Sequence, residues 1–106
     1  MGKTKTELFS DDQNQLAKMA KALGHPARIA ILEHLIKKGS CVCGDIVDEL
    51  PLSQSTVSQH LKAMKDAGII KGDIEGNYRC YCIDLKQCQR LFDGIKGLIS
   101  KMNNCC

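Results

Sequence analysis

Apolar residues recur along this chain at two periods, and the changes between them mark out the elements. After a polar opening, residues 1–10, expected to be a frayed lead-in, Asp11 and Asp12 offer acceptors for a helix N-terminus. Leu16, Met19, Ala20 and Leu23 follow at helical spacing, and Gly24 stops that helix. His25-Pro26 restarts the chain, with proline at the first helical position, where its missing N–H costs nothing. Ile29, Leu32, Leu35 and Ile36 form the next apolar face, Lys37 and Lys38 suit the negative end of the dipole, and Gly39 terminates. Ser40–Gly44 reads as extended, and a short helix is expected from about Asp45 to Leu50, ended by Pro51. Ser53 is the expected N-cap of a helix running to about Ala67, with Val57, Leu61 and Met64 inward and Gly68 closing it. Ile69–Ile74 and Tyr78–Ile83 flank the turn Glu75-Gly76-Asn77 and predict a β-hairpin. A last helix is expected from about Leu85 to Met102, carrying Leu91, Phe92, Ile95, Leu98, Ile99 and Met102 as a wide stripe.

A short helix, a Pro-containing turn and a polar-faced helix make a helix-turn-helix, and the hairpin after it makes a wing. The expected fold is mostly α with a small β-hairpin wing. At 106 residues the chain is read as one domain, 1–106, with 1–10 and 103–106 flexible. So short a chain buries a modest core, and dimerisation would add apolar burial.

Composition narrows the class. The chain is 43% hydrophobic and 25% charged, which suits a soluble globular domain and argues against disorder. Four aromatic residues and no Trp leave the core to aliphatic side chains, which favours helices. Net charge is +3, which permits a nucleic-acid partner without demanding one. The opening does not resemble a signal peptide, and the apolar runs fall far below the ~18 residues of a membrane span. A cytoplasmic location with no membrane partner is the expectation. Seven cysteines, an odd number in C-x-C and C-C spacings, then argue against a disulfide framework and toward metal or redox chemistry.

The DNA-reading candidates lie on the helix after Ser53. Its outward positions, Gln54, Ser55, Thr56, Ser58, Gln59 and Lys62, are short or amide-bearing donors and acceptors with no negative charge. That chemistry reads base edges in the major groove while tolerating phosphates, and Gln pairs bidentately with adenine. An ordinary surface helix is polar too, but it is usually richer in Glu and Lys; here there is no Glu, and Asp66 stands only at the far end. Ser53 and His60 join the candidate set, His60 balanced evenly between DNA contact and packing. Lys62, Lys65, Lys71 and Arg79 are the expected phosphate contacts.

Three runs carry a family resemblance: Ala22-Leu23-Gly24-His25-Pro26-Ala27-Arg28-Ile29-Ala30-Ile31-Leu32, then Leu52-Ser53-Gln54-Ser55-Thr56-Val57-Ser58-Gln59-His60-Leu61, then Ala67-Gly68-Ile69-Ile70. In this order they resemble the ArsR/SmtB family of metal-responsive repressors, over about residues 12–100. The resemblance implies a winged-helix homodimer joined through its first and last helices. It also implies double-stranded operator DNA as partner, with recognition helices in successive major grooves about 34–36 Å apart.

The sulfurs fall into Cys41 with Cys43, Cys80 with Cys82, Cys88 alone, and Cys105 with Cys106. Thiolates select soft ions over Mg²⁺ or Ca²⁺. In an extended segment residues two apart point the same way, so Cys41 and Cys43 would grip one ion just before the helix-turn-helix. The family's arsenite site is a similar Cys-Val-Cys-Asp run; here Gly44 intervenes before Asp45, and the upstream third ligand would fall among Lys37 and Lys38. Cys105 and Cys106 are the expected substitutes. Cys80 and Cys82 share one face of a wing strand and are read as small hydrophobes, as is Cys88. The family's zinc-sensing branch uses Asp and His on the last helix, and no His follows His60.

The expected function is a repressor of a metalloid-resistance operon, released from its operator when As(III), or Sb(III), binds Cys41, Cys43, Cys105 and Cys106. A thiol redox or persulfide sensor on the same scaffold is the competing reading, and an all-thiolate Cd²⁺ or Zn²⁺ sensor is a third. An enzyme is not expected: there is no C-x-x-C, no phosphate-binding glycine loop and no Cys-His-Asn arrangement.

Overall fold

Ser10 caps the first helix, and the two aspartates expected to do so occupy its first turn instead. The Ser10 hydroxyl accepts from the Gln13 N–H at 3.1 Å while the Gln13 side chain accepts from the Ser10 N–H at 2.9 Å, a reciprocal capping box. Helix α1 then spans Asp11–Ala22. The computed structural model describes residues 5–43, 50–73 and 80–102. Within the lead-in expected to fray, Lys5–Leu8 forms a 3₁₀ turn. Helix α2 spans Pro26–Lys37, and its N-cap His25 accepts the Ala27 N–H on Nδ1 at 3.0 Å.

α2 closes with a Schellman motif: the Ser40 N–H reaches the Leu35 carbonyl at 2.7 Å and the Gly39 N–H the Ile36 carbonyl at 3.1 Å, with Gly39 at φ +88°. Strand β1 follows at Cys41–Cys43, extended as the spacing requires. The short helix expected over 45–50 lies outside the described residues, apart from Leu50. Helix α3 spans Gln54–Asp66 with Ser53 as N-cap. It ends in a second Schellman motif, Ile69 N–H to Met64 carbonyl at 2.9 Å around Gly68.

Strand β2 covers Ile70–Asp73 and β3 Cys80–Ile83; the turn expected at 75–77 lies outside the described residues. β3 is central in an antiparallel sheet of order β1-β3-β2. The hairpin alone was expected, so β1 is the added strand. Helix α4 spans Leu85–Ser100, capped by Asp84, whose carboxylate accepts the Gln87 N–H at 3.2 Å.

One core joins these elements. Met19 and Ala22 of α1, Ile31 and Leu35 of α2, Val57, Leu61 and Met64 of α3, Ile70, Tyr81 and Ile83 of the sheet, and Leu91 of α4 are all buried in it. α3 thus points one stripe, at 57, 61 and 64, into the core and the opposite stripe away from it. Among the described residues no helix is long and apolar enough to cross a membrane.

Candidate functional site

Two surfaces carry chemistry: the outer stripe of α3 and the outer face of the sheet. On α3, Ser55, Gln59 and Lys62 lie at i, i+4 and i+7, all exposed, directly opposite Val57, Leu61 and Met64. Gln54 is exposed at the helix start, and Thr56 and Ser58 are half-buried at its margins. Lys65 and Lys71 are exposed as well. Ser53 is committed to the cap: its hydroxyl accepts the Thr56 N–H at 3.3 Å and lies 2.9 Å from the Thr56 hydroxyl and 3.2 Å from that of Ser55. The cap is therefore a small hydroxyl network at the helix tip, which leaves the glutamines and lysine as the long reaching groups.

His60 has a different setting. It is only 9% exposed, its Nδ1 accepts the Arg28 Nε–H at 3.0 Å, and its ring stands 4.5 Å from that of His25. Arg28 also donates to the Ala22 carbonyl at 3.1 Å. Of the two roles weighed for His60, the structure gives it packing: it holds α3 against the α1–α2 junction. Burial, then the neighbouring His25 and Arg28, keeps its imidazole below the ordinary histidine range. Sequence patterning alone missed Arg28 as the partner, since 32 residues separate the two. Arg79 lies outside the described residues.

The sheet brings together sulfurs that the sequence reading had kept apart. Tyr81 and Ile83 take the inward side of β3, at 1% and 7% exposure, so Cys80 and Cys82 are turned outward. The expectation that they serve as small hydrophobes is corrected by this alternation: the core side of β3 is already filled. In the β1–β3 ladder Cys41 stands opposite Cys82 and Cys43 opposite Cys80, with Val42 facing Tyr81 between them. Ile83 donates to the Ser40 carbonyl at 2.8 Å, which makes the Cys pairs the closely spaced, non-hydrogen-bonded ones. Their Cα atoms are 4.0 Å apart in both pairs, and the structure joins each pair as a disulfide. The expectation that these cysteines do not form a disulfide framework is thereby corrected: two sheet neighbours at such separation meet sulfur to sulfur.

Beyond β3, Lys71 of β2 pairs with Cys82, so an exposed cation continues the same row. Cys88 is a free thiol, half-buried against the core, donating to the Ile69 carbonyl at 3.6 Å; burial and then Asp84 push its pKa up, which leaves it the poorer nucleophile. Cys105 and Cys106, expected as ligands, lie outside the described residues. The signal that pointed toward the ladder is the repeated C-x-C: two such strands stack their sulfurs when they pair in this register.

Comparison with known proteins bears on this arrangement. The family model described as bacterial regulatory protein, arsR family, matches residues 25–71. The arsenical resistance operon repressor of Bacillus subtilis (strain 168) is 30% identical, over the whole of this chain and 90% of its own. The chain belongs to the ArsR family. An uncharacterized HTH-type transcriptional regulator of Methanocaldococcus jannaschii, MJ1325, is 47% identical over 68 residues, 63% of this chain and 75% of that one. The crystal structure of an ArsR family transcriptional regulator, 16% identical, superimposes with a TM-score of 0.75 over 92% of this chain and 100% of that one. The fold is accordingly the winged helix-turn-helix of ArsR regulators, with α3 as the second helix of that unit and β2–β3 as the wing. ArsR members are DNA-binding transcriptional regulators and not enzymes.

Proposed function

We propose that this ArsR protein represses a metalloid-resistance operon as a homodimer and leaves its operator when As(III), or the similar Sb(III), binds cysteine thiolates that include Cys41 and Cys43. The observation that carries the reading is the extended Cys41-Val42-Cys43 strand. Both cysteines lie on one outward face, immediately ahead of the segment that leads into α3. The similarity over the full chain to an arsenical resistance operon repressor supports the same effector. Ion binding lowers operator affinity only as far as it favours the free protein over the DNA-bound one; a 100-fold release corresponds to about 2.7 kcal/mol of such coupling. Gln54, Ser55, Thr56, Ser58, Gln59 and Lys62 would face the groove, and Arg79 is proposed as a phosphate contact.

The dimer reading rests on exposed apolar side chains of α4 and of Met102 just beyond it. Phe92, Ile95, Leu98, Ile99 and Met102 are 41–59% exposed on one helix end, an unusual cost for a small chain unless a second copy covers them.

The deciding experiment titrates arsenite into the reduced protein bound to its operator and follows release by fluorescence anisotropy. Release in the wild type and retention in Cys41→Ser/Cys43→Ser is the expected pair of results; equal release in both would overturn the reading. A second reading, a thiol-redox repressor, is favoured by the two ladder disulfides. It requires that operator affinity change between the reduced and oxidised protein with no ion present.

A further inference from the structure

We infer that Cys80 and Cys82 of the wing strand are ligands of the same thiophilic ion as Cys41 and Cys43. Together they form a four-sulfur site across β1 and β3 within one protomer. The inference rests on the proposed thiolate-sensing function and adds its missing ligands.

The geometry is set by the ladder. Two cross-strand pairs with Cα atoms 4.0 Å apart stand two residues apart on each strand, which is about 7 Å along the chain. The four cysteines thus occupy the corners of a rectangle, all on the outward face. Around an ion with metal–sulfur bonds of about 2.3 Å, tetrahedral sulfurs sit about 3.8 Å apart. With Cα atoms 4.0 Å apart across the strands, the freed sulfurs reach that spacing by rotating about χ1. Along the strands each sulfur must swing inward by about 1.6 Å, and one cross-strand pair must turn against the other out of the rectangle's plane, movements that χ1 rotation supplies. The surroundings suit the charge: the exposed Lys71 continues the row beyond Cys82.

As disulfides the four sulfurs offer no thiolate, and in this oxidised arrangement no group of three or more His, Cys, Asp or Glu among the described residues could hold an ion. The site therefore belongs to the reduced protein. A dithiol reductant delivers two electrons and two protons to each disulfide and is itself oxidised. Cd²⁺ then replaces four thiol protons. Arsenous acid condenses with three thiols, its three hydroxyls leaving as water with the thiol protons and arsenic staying As(III). In either case the ion ties β1, ahead of α3, directly to the wing, so both DNA-facing parts feel it.

The test uses the reduced full-length protein under nitrogen with Cd²⁺ alone as probe. Thiols left free at saturation are alkylated and mapped by mass spectrometry. The expected result is one Cd²⁺ per protomer, with Cys41, Cys43, Cys80 and Cys82 protected and Cys105 and Cys106 labelled. Labelled Cys80 and Cys82 in the saturated wild type would overturn the inference, and this measurement depends on no variant folding. In Cys80→Ser/Cys82→Ser the sulfur-to-cadmium charge-transfer band should fall to about half and Cd²⁺ affinity by at least about 100-fold, whereas Cys105→Ser/Cys106→Ser should match the wild type. An unchanged band in the first variant also overturns the inference. Operator release is read separately. Protection of all four sulfurs without release on arsenite addition leaves this site standing and removes the proposed function; release with Cys80 and Cys82 labelled does the reverse.

Discussion

The Arg28 guanidinium donates through Nε to Nδ1 of His60 at 3.0 Å and so ties the first turn of α2 to the middle of α3. A second donation, to the Ala22 carbonyl at 3.1 Å, brings in the end of α1. One cation thereby fixes the azimuth of the helix whose outer stripe faces away from the core. Removing it in Arg28→Ala leaves the buried His60 acceptor unpaired. A loss of about 1–3 kcal/mol is expected, read as a lower urea midpoint at unchanged slope. A midpoint within error of the wild type would show that the bond contributes nothing.

His60 also predicts a pH dependence. Burial first, then His25 and Arg28, keep its folded pKa below the ordinary value near 6.5. Below that ordinary value the unfolded chain binds a proton that the folded chain refuses. The contribution to stability is therefore fully present above pH ~6.5 and is lost as the pH falls from there through the folded pKa. Urea unfolding between pH 7.5 and 5.5 should show this decline, and His60→Asn should show a shallower one. Parallel curves for the two proteins would refute the assignment.

Gly72 cannot carry a side chain. Its φ is +118°, and a Cβ there would run into the Cys80 carbonyl oxygen and lie 2.9 Å from the Tyr81 Cα, both backbone atoms of the central strand. Gly72→Ala must shift the β2–β3 pairing as well as adopt a strained conformation, so a loss of at least about 2 kcal/mol is expected by thermal or urea unfolding. Wild-type stability in this variant would mean that the wing does not pair in this register.

The two kinds of DNA contact proposed for α3 should separate by their salt response. Lys62→Ala should weaken binding to operator and unrelated DNA alike and reduce the salt slope by about one. Gln59→Ala should cost about 1–3 kcal/mol on operator DNA only. If Gln59→Ala left discrimination between the two DNAs intact, this stripe would not be the base-reading surface.

The apolar end of α4 gives a further outcome. Ile95→Glu/Ile99→Glu places two charges where both side chains are already exposed, at 41% and 59%, so the protomer fold should survive. Sedimentation should then show monomer in place of dimer, with operator affinity falling by at least about 100-fold. A monomeric wild type would remove the dimer proposal outright.

Local grammar made most of this fold legible. Gly39 and Gly68 after apolar stripes, Pro26 at a helix start and Ser53 before a polar-faced helix each act within a turn of the chain. Their consequences can therefore be read without knowing what packs where. The helix-turn-helix order, the wing and the outward polar stripe of α3 follow from the same short-range rules. Long-range pairing decided the rest. The sequence shows that Cys41 and Cys43 share a face and that Cys80 and Cys82 share one. Only the antiparallel β1–β3 register, with Tyr81 and Ile83 taking the core side, decides that the two faces are the same and the sulfurs neighbours. In the same way, Arg28 meets His60 across 32 residues because the α2–α3 packing angle brings them together. Backbone periodicity sets which way a side chain points; the partner it meets depends on strand register and helix packing, which are properties of the whole buried core.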